Sequence, residues 1–363
     1  MIAGGKDLSE DAAIPAGALN LLRDCEGCGP GERLLIVEEP DGAGYYDDET
    51  PNMAARAARE LGLRVYRTQA PAAIDDAAEM AAFVETLQGF DHVIFFARVG
   101  DQLRFSDLRD LPSATMCYTL DRDMLDSEFG AACHHGMCEL KSAIDDAFAA
   151  ATEVRVTCAN GTDYVGRPHL GAEPVEVSLK RFPMLVPRPV PAHGFSGRIA
   201  LTRFVTGTGN RFYEPYTLPL RDTTFAELED NRITAFDGPD ETPLIAHYQD
   251  IAGRYDLDPW FVHSWHAGIH PGCGFSADAG SQIMRWAGSA FGNPRVLHFH
   301  TCGAFAPGEI SWLIIDPTIT VDGVALWEKG ALYPERLPDC ARILSRHANL
   351  AALFRSPQRN IGL

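Results

Sequence analysis

Hydrophobic positions in the first third of the chain form short apolar runs that alternate with longer, alanine-rich stretches of helical spacing. Strands separated by helices are typical of a parallel sheet with helices on its faces, so the pattern predicts an N-terminal α/β domain. No Gly-x-Gly-x-x-Gly follows the first strand, which argues against a dinucleotide site. The predicted strands are residues 33–37, 63–66, 92–97 and 155–158, and the predicted helices are residues 51–63, 75–87 and 139–151.

The pattern changes after Gly161, where prolines crowd residues 183–191 and strand-like runs dominate. Residues 198–205 alternate between apolar and polar side chains, as in a half-buried strand. Further strands are predicted at 216–220 and 232–236, followed by a helix at 243–255. We therefore expect two domains, an N-terminal α/β domain at 1–158 and a C-terminal α+β domain at 159–363 that is rich in antiparallel strands.

Composition narrows the classes of partner and compartment. The chain has 363 residues, enough for two cores, and its formal net charge of −19 argues against a nucleic-acid or anionic-membrane partner. Its nine cysteines are scattered and do not form a disulfide framework. The N-terminus lacks a signal segment, and no apolar run approaches the ~20 residues of a membrane span. These features predict a cytoplasmic protein with a small-molecule substrate.

Histidines provide the strongest functional lead. Five of the twelve lie between residues 263 and 300, and a carboxylate follows them at Glu309. Neutral imidazoles with a carboxylate are the usual ligands of zinc and non-haem iron, so the cluster predicts a metal site. Taken singly, His298 and His300 could instead be core histidines with satisfied hydrogen bonds, and His263 and His266 could cap or line a helix. The five are His263, His266, His270, His298 and His300.

Strand geometry relates three of these side chains. Residues i and i+2 of a strand face the same way, so a strand over 295–301 projects His298 and His300 together. Residues 303–308 can reverse the chain, and residues 309–316 form the returning strand, which brings Glu309 close to His300. His270 lies at a Pro-Gly turn that can aim its ring into a cleft. Two histidines and a carboxylate leave metal positions open for substrate and dioxygen, and the same ligands plus water suit a catalytic zinc ion.

Short stretches in both halves resemble one known group of metalloenzymes. They are residues 31–37 (Gly-Glu-Arg-Leu-Leu-Ile-Val), residues 155–163 ending in Gly-Thr-Asp, Gly268-Ile-His270-Pro-Gly, and the strand ending at Thr320-Val-Asp-Gly323. Over most of its length the chain thus resembles the aminopeptidase T-like and 2,5-dihydroxypyridine 5,6-dioxygenase-like metalloenzyme superfamily. The resemblance implies that His270 binds the metal ion and that the protein is a homodimer or a higher homo-oligomer.

The chain departs from this group at two places. The peptidases carry a Pro-Gly-Gly-Glu segment whose glutamate binds metal, whereas the corresponding residues 189–196 lack an acid, which counts against a peptidase. A late His-x-Asp pair of the group corresponds here to Glu309-Ile-Ser311. The peptidases have a histidine on the preceding strand, which supports a replacement ligand. The expected set is therefore His270, His300 and Glu309, with His298 and His266 as substitutes.

These observations leave three hypotheses open. The first is a non-haem Fe(II) dioxygenase that opens a hydroxylated aromatic or N-heteroaromatic ring, with His193 or His266 as the base. The second is a Zn-, Mn- or Co-dependent hydrolase of an amide or a small ring, and the third is a binding protein that has lost its metal ion. Candidate substrate-lining side chains, each with core packing as the alternative, are Trp265, Cys273, Cys302 and Trp312.

Overall fold

The computed structural model describes residues 13–103, 112–169 and 179–363. The chain forms two compact units. The first comprises the described residues of Met1–His135 and Val175–Met184, and the second those of Gly136–Pro174 and Leu185–Leu363. None of the helices formed by the described residues combines the length and the apolarity needed to cross a membrane.

The helices and strands of the described residues are numbered in chain order. The strands are β1 (Arg33–Glu38), β2 (Arg64–Gln69), β3 (His92–Phe96), β4 (Ser113–Cys117), β5 (Val154–Thr157), β6 (Asp163–Gly166), β7 (Lys180–Phe182), β8 (Val190–Pro191), β9 (Phe195–Leu201), β10 (Phe204–Thr206), β11 (Thr217–Pro219), β12 (Thr224–Glu229), β13 (Arg232–Asp237), β14 (Val262–Ala267), β15 (Val296–Cys302), β16 (Glu309–Ile315), β17 (Thr318–Val321), β18 (Val324–Glu328) and β19 (Ala331–Leu332). The α-helices are α1 (Ala16–Leu19), α2 (Glu49–Glu60), α3 (Ala77–Leu87), α4 (Val99–Leu103), α5 (Arg122–Asp126), α6 (Glu128–Ala131), α7 (His134–Ala150), α8 (Glu241–Tyr255), α9 (Ile283–Ser289), α10 (Pro338–Arg346) and α11 (Ala348–Arg355). A π-helical segment spans Asn20–Glu26, and 3₁₀ turns span Ala290–Gly292 and Pro334–Arg336.

The first unit is built on a parallel sheet with the strand order β2-β1-β3-β4-β7. Its central strand β3 is buried at every position, as expected where helices cover both faces of a sheet. The alanine-rich face of α2 packs into the same core as β1 and β3. The predicted α/β architecture is confirmed.

One predicted strand belongs to a different sheet from the one expected. The strand predicted at 155–158 is present as β5, but it pairs antiparallel with β6 and β17 in the second unit. Conversely, β7 belongs to the parallel sheet of the first unit although it follows β5 and β6 in the chain. Local periodicity identifies a strand, whereas its partner depends on contacts between distant residues. The predicted boundary between the two domains, at residues 158 and 159, stays a prediction.

The second unit consists of two antiparallel sheets. One has the order β11-β10-β16-β15-β14-β8, and the other has the order β13-β12-β9-β6-β5-β17-β18-β19. The prediction that the C-terminal part of the chain is rich in antiparallel strands is therefore confirmed.

Aromatic side chains from both sheets pack together in the core of the second unit. The ring of Phe299 on β15 lies 5.5 Å from that of Tyr164 on β6, and Trp265 on β14 lies 5.7 Å from Phe195 on β9. Trp312 on β16 lies 5.7 Å from Phe299. Because side chains alternate across a strand, the residues next to these rings point to the opposite face of the six-stranded sheet.

Candidate metal centre

The opposite face of the six-stranded sheet carries three histidines on two paired strands. His266 on β14 lies directly across from His298 on β15, and His300 is two residues further along β15. Directly opposed residues project to the same face of a sheet, as do residues i and i+2. The antiparallel register therefore brings the three imidazoles together.

The three rings converge through their Nε2 atoms. The Nε2 atom of His266 lies 2.7 Å from that of His298 and 3.1 Å from that of His300. One ligand atom from each ring falls within 4.8 Å of the others. His266 and His298 are buried, at 5% and 4% exposure, and the side chain of His300 is 15% exposed. The group is thus a largely water-excluded set of three nitrogen donors.

Neighbouring groups fix the orientation of two of these rings. The Nδ1 atom of His266 lies 3.1 Å from the carbonyl oxygen of Pro187, an acceptor that requires the ring proton on Nδ1 and so leaves the lone pair on Nε2, the atom that faces the other two rings. The ring of Phe291 stacks on that of His298, with centroids 4.3 Å apart and an interplanar angle of 28°. These contacts direct both imidazoles towards the common centre.

Glu309 contacts the group from the side opposite the centre. Its Oε1 atom lies 2.7 Å from Nδ1 of His300, and the carboxylate is 3% exposed. Glu309 pairs with Cys302 across the β15–β16 ladder, so it reaches His300 along the diagonal.

The hairpin loop closes with a hydrogen bond from the Gly303 amide to the Gly308 carbonyl, and Gly308 adopts φ 93°, where a side chain would be strained.

The donor set fits a metal ion. Three imidazoles with convergent Nε2 atoms, one oriented by a carbonyl and one by a carboxylate, are the ligands and outer partners that Zn²⁺ and Fe²⁺ sites use. Nitrogens on a tetrahedral zinc ion lie about 3.3 Å apart, given Zn–N bonds of ~2.0–2.1 Å. The observed spacings of 2.7 and 3.1 Å need only small ring movements to reach that value.

Two other histidines of the sequence cluster lie outside this group. His270 is 1% exposed, and its Nδ1 atom accepts a hydrogen bond of 3.1 Å from the Gly272 amide. The Nε2 atom of His263 lies 3.0 Å from the Cys302 carbonyl oxygen, and burial lowers the pKa of this ring. Of the expected set His270, His300 and Glu309, the structure brings His300 and Glu309 together and joins to them the two substitutes, His266 and His298.

The remaining candidates for the site have other surroundings. His193 is exposed, and its Nδ1 atom lies 3.0 Å from Oδ1 of Asp230. Trp265 and Trp312 are fully buried in the aromatic core, on the face opposite the imidazoles. The surroundings of these two tryptophans are those of core packing.

The two cysteines predicted near the site are buried thiols. Cys273 is 0% exposed and its Sγ atom lies 3.3 Å from the Ser289 carbonyl oxygen, and burial raises its pKa. Burial also raises the pKa of Cys302, to about 11. Neither thiol is a ready thiolate at neutral pH, so each matches the core alternative.

The sequence named His266 only as a substitute ligand or a base, and it did not point to Pro187 or Phe291. His266 could have been placed on a strand from the β-branched and aromatic character of Val262 to Trp265, but a bulge between Val262 and Ser264 interrupts the alternation. Pro187 lies 79 residues from His266, and Phe291 lies on a 3₁₀ turn 7 residues before His298, so no strand pattern connects either to its ring.

Comparison with known proteins supports the fold. No protein-family model matches the sequence, and no curated protein matches it either. The solved structure of 2,5-dihydroxypyridine dioxygenase from Pseudomonas putida KT2440 is similar, with a TM-score of 0.59 over 88% of this chain and 95% of that chain. At 15% sequence identity this similarity shows a shared fold. The resemblance to the dihydroxypyridine dioxygenase branch is therefore supported at the level of fold, and the likeness to aminopeptidase T stays a prediction.

Proposed function

We propose that the protein is a metal-dependent enzyme whose ion is held by the Nε2 atoms of His266, His298 and His300. The convergence of three buried imidazoles on one point carries the proposal. Like rings at this spacing repel one another when protonated, whereas a shared cation stabilises all three. A nitrogen that binds a metal ion cannot take a proton, so this assignment removes His266 from the candidates for the base.

We further propose that the ion is Fe(II) and that the reaction is oxygenative cleavage of a hydroxylated aromatic or N-heteroaromatic ring. Support comes from the shared fold with an enzyme named for a dihydroxypyridine, together with donors that iron accepts. When bound, the iron would supply open positions for substrate and dioxygen. The chain contributes the rigid strands β14 and β15, which hold the ligands, and Phe291, which shields His298 from solvent.

A zinc-dependent hydrolase is the second candidate, and one observation favours it. An all-imidazole donor set is found at catalytic zinc, whereas the common iron site replaces one imidazole with a carboxylate. Here the nearest carboxylate, Glu309, contacts Nδ1 of His300 rather than the centre.

Elemental analysis of protein purified without chelators, followed by anaerobic reconstitution with Fe(II), tests the proposal. We expect about one metal ion per chain, and oxygen uptake with at least one compound from a panel of dihydroxypyridines and catechols. Stoichiometric zinc with no oxygen uptake would establish the hydrolase candidate instead. No binding of Fe(II), Zn(II), Mn(II) or Co(II) would refute a metal enzyme of either kind.

A pair of matched variants tests the ligand set. His266→Gln should abolish stoichiometric binding, because it removes one of three donors, and His270→Gln should leave it intact. The reverse result would favour the set containing His270 that the family resemblance implies.

The setting of this enzyme is proposed to be the cytoplasm. All nine cysteines are free thiols, which a reducing compartment preserves. Detection of the protein in a cell fraction other than the cytoplasm would contradict this.

A further inference from the structure

We propose that Glu309, held by Thr208, is a positioning residue that fixes His300 for metal binding and is not itself a ligand. This inference rests on the proposed metal function and assigns the carboxylate a role within it. The contact is direct: Oε1 of Glu309 lies 2.7 Å from Nδ1 of His300, while Nε2 of the same ring lies 3.1 Å from His266. The two ring nitrogens thus face the carboxylate and the centre, respectively.

The chemistry of the imidazole ring explains what this contact does. The 2.7 Å contact is a charge contact rather than an aligned hydrogen bond. Because a carboxylate only accepts, it still favours the tautomer with the proton on Nδ1, which leaves the lone pair on Nε2. The negative charge also makes the ring a better donor to a cation. The Pro187 carbonyl orients His266 in the same sense but without charge.

Hydroxyl groups hold both oxygens of the carboxylate in place. The Thr208 hydroxyl donates a hydrogen bond to Oε2, and the Ser311 hydroxyl lies 3.3 Å from Oε1. The Tyr213 hydroxyl donates to the Glu309 main-chain carbonyl at 2.6 Å. With Oε2 occupied by Thr208, rotation of the carboxylate towards the metal centre would break a buried hydrogen bond.

Charge balance gives an independent reason for a buried carboxylate here. Three neutral imidazoles leave a divalent ion with both of its charges, and burial makes such a net charge costly. Within the part of the chain that the structure describes, the one ion pair of Glu309 is with His300. A nearby metal ion would stabilise this carboxylate, and the carboxylate would offset the ion's charge.

Co(II) binding monitored by visible absorption tests the proposal, because the spectrum reports the ligands directly. For Glu309→Gln we expect a 10–100-fold weaker Co(II) affinity with the absorption bands of the wild type in position, since an outer partner is lost and every ligand remains. Thr208→Val should weaken binding less, and Thr208→Ser should restore it because the hydroxyl returns. Thr206→Val is the matched control: it removes a buried hydroxyl that contacts Thr217, and it should leave affinity unchanged.

The outcomes separate this inference from the proposed function. Wild-type affinity in Glu309→Gln would overturn the positioning role. Displaced absorption bands in that variant would also overturn it, because they would mean that Glu309 is a ligand. Failure of the wild-type protein to bind Co(II), Fe(II) or Zn(II) would instead overturn the metal function on which the inference rests.

Discussion

Two buried histidine clusters in this molecule use the imidazole in opposite ways. In the first unit, His92 lies between two carboxylates, with Nδ1 2.8 Å from Glu26 and Nε2 2.9 Å from Glu32. In the second unit, the Nε2 atoms of His266, His298 and His300 face one another. Both clusters are rich in ligand-type side chains, but in the second cluster three ring nitrogens face one point.

The difference follows from what each ring nitrogen contacts. Carboxylates only accept hydrogen bonds, so each ring nitrogen of His92 faces an acceptor of its own. The pKa of Glu32 is lowered, first by the hydrogen bond from the Gly29 amide and then by the hydrogen bond from His92. Thr115 donates to the other oxygen of Glu26 at 2.5 Å. Carboxylates therefore surround the ring of His92, whereas the imidazole group offers three nitrogens that could hold a metal ion.

Removing a ring from the imidazole group should give the largest effect. We expect His298→Ala to weaken Zn(II) binding by ~1,000-fold, equivalent to ~4 kcal/mol, because one of three donors is lost. The free energy of unfolding without metal should change much less. Isothermal titration calorimetry with Zn(II), beside urea denaturation of the metal-free protein, measures both quantities. Unchanged affinity would mean that the three rings do not share an ion.

Removing the ring from the carboxylate cluster should have the converse effect. His92→Ala leaves Glu26, whose side chain is 0% exposed, with Lys180 at 3.6 Å as its nearest cation. We expect a loss of about 3 kcal/mol in the free energy of unfolding, because a buried charge has lost its partner. Zn(II) affinity should stay at the wild-type value.

Arg23→Gln is the control for His92→Ala. It removes an exposed ion pair with Asp24 in the same unit, and the free energy of unfolding should hardly change. If His92→Ala were no more destabilising than Arg23→Gln in urea denaturation, the network would not be structural.

The comparison also shows how far sequence reasoning reaches. The juxtaposition of His300 and Glu309 could be predicted because a short loop joins two strands with a period of two residues, and local geometry then sets the pairing. The pairing of His266 with His298 could not, because the two residues are 32 positions apart and β14 contains a bulge. The same holds for Thr208, which lies 101 positions before Glu309. The fold class followed from periodicity, while the partner of β5 depended on contacts between distant strands.

A third kind of buried histidine extends the comparison, and it is expected to give the smallest effect at neutral pH. His247 on α8 is 6% exposed and lies beside the ring of Tyr213, with centroids 5.9 Å apart. Burial lowers its pKa from 6.5 to about 4. The charge of Asp250 raises the pKa by a smaller amount, and that of Arg254 lowers it. Burial outweighs the effect of Asp250, so this ring is neutral in the folded protein at pH 7.

The lowered pKa of His247 predicts a pH dependence with a definite sign. Above pH 6.5 the ring is neutral in both states and costs nothing; between pH 6.5 and about 4 the unfolded chain binds a proton that the folded protein does not. Stability should therefore fall on acidification through this window, by up to ~1.4 kcal/mol per pH unit for this one group. His247→Gln should reduce the slope of urea midpoint against pH, whereas the exposed His135→Gln should keep it. An unchanged slope in His247→Gln would show that this ring takes up a proton in the folded protein as readily as in the unfolded chain, and His247 would then not differ from an exposed histidine.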